Sequence, residues 1–399
     1  MNPLKIWQND ARRTPDTRHV DTCDGIRAFS VLMVGWFHIW QQSWLYPEVH
    51  LFGRYISLDP LVRAGYIWVD ILILISGFCL YLPWARARRY GTDQPRTVDF
   101  YVRRLIRIEP SYLLAVLVML AVAVLTGAYM SRDAMIRDLF AHLTYTHMFF
   151  FDTYYSTQLG GAMWTLAVEM QFYLLFPLLA YAFYRFPVMT FAAMTCLSLA
   201  FRGFIGLWFA DVGMFFNQLP AYLDVFACGM AAAAVHVRLS ECRHNAVTRL
   251  LCTAGTVLVI WALLQVNVHQ AACVTTEEIR LGQMNRRLIM GLLGGSLLVL
   301  SAHAGLVLRG LLSNPVTRFV SAVSMQFYIW HQWLAVWILK IRLVPSDYEM
   351  PNYSGDLVWQ KQYTFVCFAL ALALSALLTF GFERPVARHL QRLWKRRRR

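Results

Sequence analysis

Residues 27 to 38 read Arg27-Ala-Phe-Ser-Val-Leu-Met-Val-Gly-Trp-Phe-His38, an apolar run with an ionisable side chain at each end. It lies within a segment, 26 to 45, of about the 20 residues a helix needs to cross a hydrocarbon core. Eleven residues at 100° each make three turns plus about 20°, so Arg27 and His38 project from one helix face, about 16 Å apart. An ionisable group at membrane depth costs on the order of 2.5 kcal/mol unless it meets a partner or a polar cavity. Two readings follow. Either both residues belong to a functional face, or the histidine is hydrogen-bonded within a bundle and the arginine reaches back to the surface.

The rest of the chain continues this pattern. It is 58% hydrophobic, with a mean hydropathy of +0.44, and its apolar residues come in long runs rather than alternations, which predicts an all-α polytopic membrane protein. Ten candidate spans fall near 26 to 45, 65 to 84, 110 to 129, 162 to 183, 187 to 209, 217 to 236, 249 to 267, 287 to 304, 320 to 339 and 363 to 382. Residues 1 to 22 are polar, with Lys5, Arg12, Arg13 and Arg18, and lack the apolar core of a signal peptide. The expected organisation is a cytoplasmic tail (1–22), a ten-helix domain (23–385) and a basic cytoplasmic tail (386–399). Most of the 37 Lys and Arg residues then fall on the cytoplasmic side, as membrane topology demands. The net charge of +14 is thus a topology signal, with a tail suited to anionic membrane lipids, and no nucleic acid is expected. Arg286 and Arg287 fall at an outer loop, and the longest outer loops lie near 130–160, 267–286 and 340–362. The eight cysteines form no CxxC, HExxH is missing, and no metal is expected.

Several polar groups are candidates for chemistry. Arg103, Arg104 and Arg107 stand at the entrance of the third span, with Arg104 and Arg107 sharing a face at i and i+3. Paired guanidiniums suit a phosphate-rich donor such as a coenzyme A thioester, although arginines at a helix start also serve as topology anchors. Glu169 lies inside an apolar stretch with Thr165 and Tyr173 one turn to either side, either as catalytic groups or as a network pinning helices. A buried carboxylate there needs a cation, and Arg27 or the Arg104/Arg107 pair can supply one. Asp70 in the second span and His331 in the ninth add to a polar interior. Phe382-Glu-Arg-Pro385 reads as a helix terminus, with Glu383 and Arg384 paired.

In this order, the blocks Asp24-Gly-Ile-Arg27 with His38, Val69-Asp-Ile-Leu-Ile-Leu-Ile-Ser-Gly-Phe78, Phe100-Tyr-Val-Arg-Arg-Leu-Ile-Arg107 with Pro110 and Tyr112, Trp164-Thr-Leu-Ala-Val-Glu169 with Gln171-Phe-Tyr173, and Tyr328-Ile-Trp-His331 with Glu383-Arg-Pro385 resemble the membrane-bound acyltransferase family 3. The resemblance implies a bacterial inner-membrane enzyme that moves an acyl group, commonly acetyl, from cytoplasmic acyl-CoA to a hydroxyl beyond the membrane. It assigns His38 and Arg27 to catalysis and Arg104 and Arg107 to donor binding; Glu169 joins the catalytic candidates, and Arg103 and Tyr112 the donor candidates. Asp70, Trp164, Thr165, Tyr173 and His331 would line the substrate path. Acceptors implied are a surface polysaccharide, a lipid-linked sugar or a small macrolide-like metabolite, and a homodimer stays open. Thr165 stands where relatives often have serine, and Met170 where they often have a second glutamate. His38 would act as general base on the acceptor hydroxyl or carry the acyl group as an acyl-imidazole. A transporter or flippase is the competing class, but the inverted repeats it would show are not evident in the sequence.

Overall fold

The computed structural model describes residues 19–209, 211–242 and 245–396. The described chain is almost entirely helical: α1 (Thr22–Ser43), α2 (Asp59–Arg63), α3 (Val69–Tyr90), α4 (Thr97–Leu125), α5 (Arg132–Leu143), α6 (Phe151–Tyr155), α7 (Trp164–Arg185) and α8 (Pro187–Trp208) come first. They are followed by α9 (Gly213–Phe216), α10 (Leu223–Leu239), α11 (Ala246–Ala272), α12 (Thr276–His303), α13 (Leu306–Leu312), α14 (Pro315–Lys340), α15 (Leu357–Leu378) and α16 (Arg384–Arg396). An exposed hairpin, β1 (Glu48–Leu51) with β2 (Arg54–Ser57), is an addition that the all-helical reading did not contain. Its turn puts Phe52 and Gly53 at φ +49° and +74°, the primed geometry that matches the twist of paired strands.

Each of the ten expected spans corresponds to a long helix. Seven of these are long and apolar enough to cross a membrane. The other three, α1, α12 and α14, carry polar groups within their apolar runs: the half-buried Arg27 and His38, the buried Arg286 and Arg287, and the buried Gln326 and His331. The helix α12 also corrects the expected loop at 267–286. A capping box between Thr275 and Glu278 starts it early, so Arg286 and Arg287 lie inside the helix and are buried.

Helices α3 and α10 are the most enclosed, and α8 and α11 face outward. Gly77 and Gly229 bring α3 and α10 into close approach: a Cβ on Gly77 would stand 2.7 Å from the Phe226 carbonyl oxygen. On the other side, Gly35 of α1 lies against Phe327 of α14, whose ring a Cβ would meet at 2.5 Å. Prolines interrupt α3, α4 and α7 at Pro83, Pro110 and Pro177. Each removes one i→i−4 bond, at the carbonyls of Cys79, Ile106 and Tyr173. At Phe382-Glu-Arg-Pro385 the helix does not end. A π-helical turn, Thr379–Glu383, leads into α16, and Pro385 is the second residue after that turn. Glu383 pairs with Gln326 at 3.0 Å rather than with Arg384, whose guanidinium lies 4.5 Å from the Phe380 ring centre.

Candidate active site

Five helices, α1, α3, α4, α7 and α14, enclose a cavity of about 130 Å³. Into it face Arg27, Arg104, Arg107 and Glu169, drawn from three helices far apart in sequence. Thr165, Glu169 and Tyr173 all line it, so the single face read from their spacing is the face that α7 presents to the cavity. Glu169 accepts hydrogen bonds from the Ser76 hydroxyl (2.5 Å) and the Tyr173 hydroxyl (2.9 Å). The Arg104 guanidinium lies over the rings of Tyr173 (5.7 Å) and Phe100 (5.8 Å). Stacking occupies the faces of the guanidinium and leaves its edge donors for a ligand. Its buried Nε has no hydrogen-bond partner among the described residues. Arg27 donates to Cys79 Sγ at 3.8 Å.

Three guanidiniums against one carboxylate, in a pocket with apolar walls from Val31, Val69 and Ile108, form a site for an anion. Charge-assisted bonds to phosphate or carboxylate are what such a group of donors makes best. Ser76, Cys79, Ser324 and Tyr328 also line the cavity, and the sequence reading had not singled them out.

His38 lies further along α1, outside the cavity. Its ring centre is 5.2 Å from that of His331 on α14. Tyr328, which lines the cavity, meets the His331 ring edge-on at 5.6 Å, so an aromatic path joins the cavity to the histidine pair. His331 Nδ1 lies 2.9 Å from the Phe327 carbonyl oxygen. A carbonyl only accepts, so His331 carries its proton on Nδ1, and its buried Nε2 has no hydrogen-bond partner among the described residues. His38 Nδ1 likewise faces Gln41 Oε1 at 2.9 Å, which leaves a lone pair on Nε2.

The other expected site residues lie elsewhere. Arg103 is exposed and does not line the cavity. Tyr112 is fully buried, donates to the His142 carbonyl at 2.9 Å and stacks on Tyr145 at 4.5 Å, away from Arg104 and Arg107. Asp70 is buried 3.5 Å from Arg286 Nη2 and 3.9 Å from Arg287 Nε. Arg287 in turn lies 3.9 Å over the Tyr222 ring, on which Trp164 stacks at 6.0 Å. These two expected path residues therefore belong to one charged and aromatic network between α3, α7, α12 and the Leu219–Tyr222 turn that precedes α10. Among the described residues, no three His, Cys, Asp or Glu side chains cluster as a metal site would require.

The comparison with known proteins decides the family. A model described as an acyltransferase domain, Acyl_transf_3, matches residues 21–384. The chain belongs to this acyltransferase family. Among curated relatives, the O-acetyltransferase OatA of Staphylococcus aureus is 28% identical over 177 residues, 42% of this chain and 26% of OatA. YrhL of Bacillus subtilis, whose name assigns it peptidoglycan O-acetylation, is 28% identical over 174 residues, 42% of this chain and 24% of YrhL. Nodulation protein 10 of Rhizobium leguminosarum bv. viciae is 27% identical over 175 residues, 40% of this chain and 44% of that protein. The match thus spans about a quarter of the length of OatA and YrhL. No solved structure matches significantly.

Proposed function

We propose that the protein is a membrane O-acyltransferase that takes an acyl group, acetyl in the first instance, from acyl-CoA and delivers it to a hydroxyl of a cell-envelope glycan. The observation that carries this reading is the convergence of Arg27, Arg104, Arg107 and Glu169 in one cavity, with the His38–His331 pair beyond it. In this reading α1, α12 and α14 also span the membrane, giving ten spans over residues 23–385. Both termini lie in the cytoplasm of a bacterium, and the cavity opens to the cytoplasmic side of its inner membrane.

The phosphates of the donor bind the edges of Arg104 and Arg107, and the narrow pantetheine arm runs inward along α3 and α7. His38 Nε2 removes the proton of the acceptor hydroxyl as its oxygen attacks the thioester carbon. The carbon–sulfur bond then breaks, and the proton passes to the departing thiolate. Arg27, the cavity cation on the same helix face as His38, stabilises donor charge. A hydroxyl is a poor nucleophile until its proton leaves, and a histidine is suited to that step near neutral pH. The names of OatA and YrhL make peptidoglycan fragments the acceptors to test first.

The test is acceptor-dependent release of free coenzyme A from acetyl-CoA by the purified protein in lipid nanodiscs. Release on addition of glycan fragments, with acetyl ester on the fragments, is expected. Acetyl-CoA left intact with every glycan, together with movement of a solute across sealed vesicles, would replace the enzyme with a transporter.

A further inference from the structure

A second cavity, of about 740 Å³, opens between α11 and α12, apart from the one that holds Arg104. Gln265 and His269, one turn apart on α11, line its mouth together with Asn285 of α12, and all three are exposed. Gln270 and Arg286, which also line it, are only 4% and 6% exposed. Arg286 Nη1 donates to Gln270 Oε1 at 3.0 Å. Arg286 Nε and Gln270 Nε2, however, are buried donors with no hydrogen-bond partner among the described residues. A buried donor left unpaired keeps its full desolvation cost, so this wall is built to meet an acceptor.

Charge points the same way. Arg202, Arg286, Arg287, Asp70 and Asp224 are all buried. Asp224 is committed to Arg202 at 2.6 Å, which leaves Asp70 alone between Arg286 and Arg287. Three guanidiniums against two carboxylates leave a buried positive charge that calls for an anion. Glu278, a carboxylate lining the cavity, is exposed, and its Oε2 is held by the backbone N–H groups of Val274 and Thr275 at 3.0 Å each. The wall also leads toward the chemistry. Arg286 lies 5.5 Å over the Tyr66 ring, Tyr66 lies 5.1 Å from Phe37, and Phe37 lies 5.0 Å from His38.

We propose that this cavity binds the acceptor and selects an acidic saccharide, an inference that rests on the transferase reading above. Its carboxylate accepts from Arg286 Nε and Gln270 Nε2, and its hydroxyls meet Gln265, His269 and Asn285. A carboxylate fills both donors and supplies the missing negative charge, whereas a neutral sugar supplies only the first. A phospholipid phosphate supplies the charge but sets acyl chains against the amides and imidazole of the mouth. The anchored saccharide extends past Tyr66 and Phe37 toward His38, so Arg286 determines specificity without touching the reacting atoms.

The purified full-length protein in nanodiscs is given acetyl-CoA and either a disaccharide containing a uronic acid or its carboxyl-reduced counterpart, and the unfolding temperature is read with each. The acidic form is expected to show a KM lower by about tenfold or more, the scale of hydrogen bonds to a charged group, and alone to raise the unfolding temperature. Arg286→Gln should abolish that preference. Because Arg286 sits in a buried network, a second variant keeps every charge: Asn285→Trp fills the cavity from an exposed position. It should raise the KM of the acidic form by about tenfold and leave the KM for acetyl-CoA unchanged. Equal KM values and thermal shifts for the two saccharides overturn the proposal, as does an undiminished thermal shift in Asn285→Trp. Stabilisation by phosphatidylglycerol over phosphatidylcholine nanodiscs, with none by the acidic disaccharide, makes the anion a lipid phosphate and overturns it too. Absence of acetyl transfer to every acceptor counts against the transferase reading, whereas the thermal shift tests the cavity by itself.

Discussion

The imidazoles of His38 and His331 lie 5.2 Å apart, centre to centre, on helices that meet where Gly35 admits the Phe327 ring. Both rings hold a hydrogen-bond acceptor at Nδ1, and each therefore presents an Nε2 lone pair. An imidazole nitrogen with an unused lone pair suits the capture of a hydroxyl proton, and the acceptor hydroxyl is proposed to lie at His38.

His38→Ala should lower acyl transfer by about 10²-fold or more, the scale of a lost general base, while the unfolding temperature stays near wild type because His38 is only partly buried. The check is turnover of acetyl-CoA beside a melting curve on the same preparation. Turnover within a few-fold of wild type would remove His38 from the chemistry.

Arg104→Ala and Arg107→Ala should each weaken acyl-CoA binding by about 1.5–3 kcal/mol, the worth of a hydrogen bond to a charged group. Lysine should restore only part of it because the fork is lost. Arg103→Ala should leave binding unchanged, since its side chain is exposed and outside the cavity. Calorimetry with the three alanine variants separates donor contacts from topology anchors.

Glu169→Gln should destabilise the bundle by about 1–3 kcal/mol, because Ser76 and Tyr173 both donate to the carboxylate and three guanidiniums face it. Thermal unfolding in nanodiscs measures the loss, and an unchanged midpoint would refute the structural half of its role.

Residues 129–158, which stand outside the spans, carry a buried cluster with a pH response. Burial, and then the neighbouring His142, push the His147 imidazole well below the ordinary histidine range. The two rings stack at 4.0 Å. Burial raises Asp138, but hydrogen bonding from His142 and Tyr129 outweighs it and holds the carboxyl below its usual value. For a histidine depressed on folding, the unfolded chain takes up a proton below about pH 6.5 that the folded chain refuses. Local stability is thus complete above that pH and falls as the pH drops through it, and Asp138 adds a further loss below about pH 3.9. Hydrogen-exchange protection in this segment, corrected for intrinsic rates, should decline from pH 7 to pH 5, and His147→Phe should flatten the decline.

The positions of all ten long helices were legible because apolar runs of membrane length have few other solutions. So was the grouping of Thr165, Glu169 and Tyr173, which one helical period decides. Ser76, Cys79 and Tyr328 were not, since each is an ordinary residue within an apolar run and reaches the cavity only through the crossing of α3 and α14 with α7. Arg286 and Arg287 were misplaced for a related reason. Hydropathy counts a buried arginine as loop, and the compensation by Asp70 and the Tyr222 ring becomes visible only once α3, α10 and α12 stand together.

The most direct test of the central claim is sided transfer in sealed proteoliposomes of uniform orientation, with glycan fragments enclosed. Acetyl-CoA is supplied only at the face that carries Arg104 and Arg107. Acetyl ester on the enclosed fragments, lost in His38→Ala, is the predicted result. Product formed only when acetyl-CoA and acceptor share one side would contradict transfer across the bundle.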